Sequence, residues 1–110
     1  MKKIILLCAL GMSTSITVAK IRRAFAEEEL DIELSAYSEN QLVDYIDDAD
    51  LVLLAPQIAY LEDELMEECA KHHKKCVVFP IDIYATSDKN ILISFIKPLI
   101  EEVQKGQNSK

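Results

Sequence analysis

Cys8 is the residue of this chain best placed for chemistry. It closes the apolar run "KKIILLC" and is followed by "ALGMSTS", residues 9–15. A thiol there stands where an extended segment hands over to a helical one. Gly11 lets the backbone approach a ligand closely, and Ser13, Thr14 or Ser15 can cap the helix that follows. Amides of residues 9–15 that lack helical partners then line one concavity, and the helix dipole adds positive potential. Such a nest binds a tetrahedral anion. The same field favours a thiolate, the nucleophilic form of cysteine. The chemistry this suggests is a phosphoryl group held on Cys8 by Ala9, Leu10, Gly11, Met12, Ser13, Thr14 and Ser15. A cysteine ending an apolar strand is also commonly a small core residue, and at this point both uses stand open.

Spacing bears on which phosphoryl chemistry fits. Small cysteine-dependent phosphatases use Cys-x5-Arg-Ser at the same topological place. In this chain the serine is kept as Ser15, but Thr14 replaces the arginine. A phosphatase needs that guanidinium to grip phosphoryl oxygens in the transition state. A loop that holds phosphate by amides and hydroxyls suits a carrier, which keeps the group until an acceptor arrives. A small phosphatase and a non-catalytic, flavodoxin-like binding module are the alternatives.

The elements that must position Cys8 follow from periodicity. "KIILL" (3–7) has the apolar run of a buried parallel strand. From about Ser13 to Glu28, Val18, Ile21 and Phe25 share one helical face. "DIELSAY" (31–37) alternates as a half-buried strand, and "SENQLVDYI" (38–46) opens with a capping-box pattern, Ser38 with Gln41. "DLVLLAP" (50–56) is a third strand and "QIAYLEDELMEECAKHH" (57–73) a helix. "KCVVFPID" (75–82) reads as a fourth strand, and residues 87–104 as a last helix capped by Ser87 or Asp88. Pro98 conflicts with that helix, which it should kink or divide. Residues 1–104 make one domain, and 105–110 a flexible tail.

Alternating strands and helices predict an α/β fold: a four-stranded parallel sheet, order 2-1-3-4, with helices on both faces. In such sheets ligands bind at the carboxyl ends of the strands, near the switch point between strands 1 and 3. Loops 8–15, 55–60 and 80–86 therefore converge. Gln57 and Tyr60 start the third helix beside the loop, in reach of it or of a partner. Asp82 ends the fourth strand and faces the site, where a carboxylate beside a phosphoryl group suits a structural role. Leu10 and Met12 form an apolar rim for docking.

The rest of the chain excludes several classes. At 110 residues, half of them hydrophobic, one compact domain is filled. A formal net charge of −7 argues against nucleic acid and anionic lipid. The run "IILLCALGM" is too short to span a bilayer, and no clean cleavage site marks it as a signal peptide. Three cysteines, Cys8, Cys69 and Cys76, make neither a disulfide framework nor a zinc pattern. Cys69 falls on the apolar stripe of its helix, Cys76 opens a strand, and neither reads as reactive. His72 and His73 read as solvated residues at a helix end.

Two motifs carry a resemblance. Cys-x-x-Gly-Met-Ser-Thr-Ser after the first strand, with "APQIAY" (55–60) after the third, resembles the IIB components of the sugar phosphotransferase system, lactose/cellobiose/chitobiose branch. The resemblance extends through "PID" (80–82) and the last helix. It implies that Cys8 takes a phosphoryl group from a phosphohistidine of the IIA protein. It implies transfer of that group to a β-glucoside-type disaccharide (cellobiose, chitobiose or lactose class) held by the membrane IIC protein. The acidic surface and three cysteines without a disulfide framework suit a cytoplasmic protein, and the loop supplies the positive potential, so no metal or cofactor is expected.

Overall fold

A computed structural model describes residues 2–9, 12–86 and 88–108, with side chains omitted at 12–14 and 104–108. Strand β1 (Lys2–Leu7) leads into helix α1 (Met12–Glu27) and strand β2 (Ile32–Tyr37). A broken helical stretch follows: a 3-10 turn (Glu39–Gln41), helix α2 (Leu42–Tyr45) and a second 3-10 turn (Ile46–Asp48). Strand β3 (Leu51–Leu54), a 3-10 segment (Pro56–Leu61) and helix α3 (Glu62–Lys71) form the next unit. Strand β4 (Lys75–Val78), helix α4 (Ile81–Tyr84) and helix α5 (Lys89–Asn108) complete the described chain.

All described strand pairs are parallel, in the order β2-β1-β3-β4. This is the doubly wound order expected from the sequence. Side-chain alternation divides the core cleanly. Ile4, Leu6, Cys8, Leu51 and Leu53 turn to one face and pack with Ile21 and Phe25 of α1 and Leu92, Ile96 and Ile100 of α5. Ile5, Leu7, Val52 and Leu54 turn to the other face, against Leu42, Ile46, Ile58, Leu65 and Cys69. The central strands β1 and β3 are thus apolar at nearly every position, because both their faces are covered.

Polar groups fasten the layers. Arg22 on α1 donates from Nε and Nη2 to the Leu34 carbonyl at 3.0 and 2.7 Å. The Asp50 carboxylate accepts from the Lys3 amide at 2.8 Å, while the Asp50 amide donates to the Lys3 carbonyl at 2.7 Å. That clamp sets the register where β3 begins. The Ser38 amide donates to Gln41 Oε1 at 3.0 Å, as the capping-box pattern requires.

Four boundaries differ from the sequence reading. Strand β4 stops at Val78 instead of running to Asp82. The Phe79 amide still pairs with the Leu54 carbonyl, at 2.8 Å, but Pro80 has no amide to continue the ladder. Residues 81–84 wind into α4 instead, closed by the Tyr84 amide on the Pro80 carbonyl at 2.8 Å. The segment after β3 starts as a 3-10 turn with Pro56 at its first turn, and the α-helix proper waits until Glu62. The 38–46 helix is divided by 3-10 turns. Finally, α5 is one continuous helix containing Pro98. Ser94, whose carbonyl would have faced the missing amide, and Pro98 itself are both exposed, so water can take that carbonyl. Asp88 caps α5 through Oδ1, 2.9 Å from the Asn90 amide. The helical backbone runs past residue 104 to Asn108, and the expected cap Ser87 lies outside the described residues, as do 109 and 110.

Candidate active site

The carboxyl edge of the sheet is built by three residues that each extend the ladder one step beyond a strand. The Cys8 amide donates to the Tyr37 carbonyl at 3.0 Å, the Ala55 amide to Leu7 at 2.8 Å, and the Phe79 amide to Leu54 at 2.8 Å. Cys8, Ala55 and Phe79 therefore stand in a row where β1, β3 and β4 end. The row includes the switch point, since β1 sends its chain toward β2 and β3 sends its chain toward β4. The segments 55–60 and 80–86 leave from this edge, and α1 starts at Met12 after β1 ends there.

Cys8 is only 1 % exposed. Its Sγ lies 3.9 Å from both the Leu6 and Tyr37 carbonyl oxygens, at the outer limit for a weak thiol donor. The thiol thus lies within weak reach of the carbonyls at the ends of β1 and β2. Ala9, next along, is exposed. Leu10 and Gly11 lie outside the described residues. The helix begins at Met12, so Ser13, Thr14 and Ser15 sit inside its first turns rather than ahead of it as caps. The first amides of any α-helix have no intrahelical acceptor. Those of residues 12–14 are consequently the donors that an anion next to Cys8 would meet. Ser15 is exposed.

The secondary positions divide. Gln57 and Tyr60 are exposed in the 3-10 segment that leaves β3, Tyr60 strongly so at 79 %. Asp82 is not at a strand end but on α4, exposed, with Oδ1 accepting from the Ile83 amide at 3.0 Å. That bond is local, so Asp82 steadies the start of α4. Two residues escaped sequence reasoning. Ile16 (64 % exposed) and Ile81 (71 % exposed) put bare apolar surface on α1 and α4, which leave the same edge as Cys8. Ile16 was detectable because it falls off the Val18, Ile21 and Phe25 stripe. Ile81 was hidden by reading 75–82 as a strand. Among the described residues, no three histidine, cysteine or carboxylate side chains gather as metal ligands, and no helix is long and apolar enough to cross a membrane.

With this geometry in hand, residues 3–94 match the family described as "PTS system, Lactose/Cellobiose specific IIB subunit". The chain belongs to that family. IIB components of this family are phosphotransferase components of sugar transport and work with IIA and IIC partners. The chain is 32 % identical over 88 residues to the oligo-beta-mannoside-specific EIIB component of Bacillus subtilis, covering 80 % of this chain and 85 % of that one. It is 30 % identical over 96 residues to the galactose-specific EIIB component of Lactococcus lactis subsp. cremoris, covering 83 % and 84 %. The solution structure of a cellobiose-specific IIB component from Borrelia burgdorferi superposes with a TM-score of 0.74 at 25 % identity, covering 92 % of this chain and 93 % of that one. The sugars in the names of these relatives differ from one to the next.

Proposed function

We propose that this IIB component is a phosphocarrier with Cys8 as the phosphorylated residue. The observation that carries the reading is the position of Cys8: one residue past β1 and still on its ladder, at the switch point, four residues ahead of Met12, where α1 begins. A phosphohistidine of the IIA protein docks over the edge. The Cys8 thiolate attacks phosphorus in line, the P–N bond breaks, and the histidine leaves as neutral imidazole. Amides of Ala9 through Ser15, with the hydroxyls of Ser13, Thr14 and Ser15, take up charge on the phosphoryl oxygens. In the second transfer a sugar hydroxyl attacks phosphorus and gives its proton to water, the S–P bond breaks, and the thiolate leaves. The acceptor is a β-glucoside-type disaccharide presented by the membrane IIC protein, which places the reaction on the cytoplasmic side. Thr14, in place of a phosphatase arginine, supports holding the group over hydrolysing it. The exposed Ile16, Tyr60 and Ile81 supply apolar surface on segments that leave the same edge as Cys8, on which a partner protein can seat.

The test is intact-protein mass after mixing with phosphoenolpyruvate, the general phosphotransferase proteins and a matching IIA. One phosphoryl group on the peptide containing Cys8, absent without IIA and absent in Cys8→Ser, is the expected outcome. Sugar phosphorylation that persists in a folded Cys8→Ser protein would overturn the assignment.

A further inference from the structure

Phosphoryl transfer uses one thiol, and the fold brings the other two together. Helix α3 ends in a 6→1, 5→2 turn: the Lys74 amide bonds the Cys69 carbonyl at 2.8 Å, and the His73 amide bonds the Ala70 carbonyl at 3.1 Å. His73 sits at φ 59° in the left-handed region and reverses the chain. This sharp return lays the start of β4 back against the end of α3. On β4, Val77 turns to the α1/α5 face, whereas Cys76 and Val78 turn to the α3 face. Cys69 is fully buried in that same cluster. Cys76 packs against that cluster, and neither thiol is in a disulfide. Cys76 is half-buried on β4, an edge strand, so the pair can be reached from solvent on that side.

We propose that Cys69 and Cys76 form a two-thiol redox site, which a peroxide converts into an intramolecular disulfide joining the end of α3 to β4. One sulfur, as thiolate, attacks the O–O bond of hydrogen peroxide. It becomes a sulfenic acid, and the displaced hydroxide takes up a proton to leave as water. The second sulfur then attacks the sulfenic sulfur, forming the S–S bond and releasing a second water. In balance, two thiols and one peroxide give one disulfide and two waters. The site is separate from Cys8, which lies on the opposite face of the sheet.

The neighbouring Cys69 thiol, together with burial, pushes Cys76 above the ordinary thiol range. The two thiols therefore lose their protons as a pair, and a second negative charge there is strongly opposed.

The decisive experiment treats folded Cys8→Ser protein with hydrogen peroxide, then alkylates under denaturing conditions and measures intact mass. The expected product is a monomer lighter by two hydrogens, with no alkyl group on Cys69 or Cys76. Dithiothreitol should restore both alkylation sites. Oxygen added separately to either cysteine, two thiols still open to alkylation, or a disulfide-linked dimer would overturn the proposal. The wild-type chain, mapped without reduction, gives a second reading if Cys8→Ser fails to fold. A Cys69–Cys76 cross-linked peptide supports the site, and links to Cys8 in its place refute it.

Discussion

Glu29 and His73 are the two described non-glycine residues held at positive φ, 55° and 59°. Each follows the C-cap of a helix, and each sits inside the same pair of bonds. At the end of α1 the Leu30 amide reaches the Phe25 carbonyl at 2.9 Å and the Glu29 amide reaches Ala26 at 3.1 Å. Glycine is the usual occupant of this position because a Cβ crowds the backbone there, at about 1 kcal/mol or more. Glu29→Gly and His73→Gly should each stabilise the fold by about 1 kcal/mol, read as a rise in the urea midpoint at constant slope. Part of the His73 gain is offset if the ring contacts more than solvent; its exposure argues that it does not. Glu29 adds a second cost, since an acidic side chain opposes the dipole at a helix C-terminus. Lys89 answers the acidic end of α1, with Nζ 3.1 Å from Glu28 and 3.9 Å from Glu27.

At the scale of elements, α5 shows how tertiary packing overrides local propensity. Its apolar positions Leu92, Ile96 and Ile100 bury against the sheet, and that burial is continuous across Pro98. A proline in a helix interior costs about 3 kcal/mol relative to alanine. The burial of three large side chains, at roughly 1.5–3 kcal/mol each, is enough to hold the helix together despite it. Pro98→Ala should therefore raise stability by about 1–3 kcal/mol in chemical denaturation, without changing transfer. A loss of stability would mean that the proline serves the packing of α5. The α3–β4 unit makes the complementary point. It is the tight turn at His73, not the apolar pattern of either element, that sets Cys69 against Cys76.

At the scale of the whole molecule, function depends on one edge of the sheet staying open. Both faces are covered by helices, and the carboxyl edge is where Cys8, Ala55 and Phe79 stand in a row. On the proposed reading, phosphoryl exchange between proteins proceeds over Cys8, with the exposed Ile16, Tyr60 and Ile81 on segments that leave the same edge. Tyr60→Ser and Ile81→Ser should fold normally, because both side chains are exposed. They should raise the concentration of IIA needed for half-maximal Cys8 phosphorylation several-fold, while the transfer rate at saturation holds. Removing one such apolar anchor at an interface costs on the order of 1–2 kcal/mol. Unchanged concentration dependence with both partners would remove these residues from the docking surface.

The sequence by itself determined the strand order and the place of Cys8. Continuous apolar runs at 4–7 and 51–55 fit strands buried on both faces, and alternating helices leave one handed way to connect them. The motif after Cys8 and "APQIAY" after the third strand were local enough to be legible as a site. What only the tertiary structure decided are relations between segments and the limits set by hydrogen-bond supply. Strand β4 ends at Val78 because Pro80 cannot extend the ladder, so Asp82 belongs to a helix. Cys8 is tucked toward the Leu6 and Tyr37 carbonyls because β1 and β2 pair one residue further than the strands themselves. Cys69 and Cys76 meet because a left-handed residue folds one element onto the next, and no periodicity along the chain encodes which buried side chains will touch.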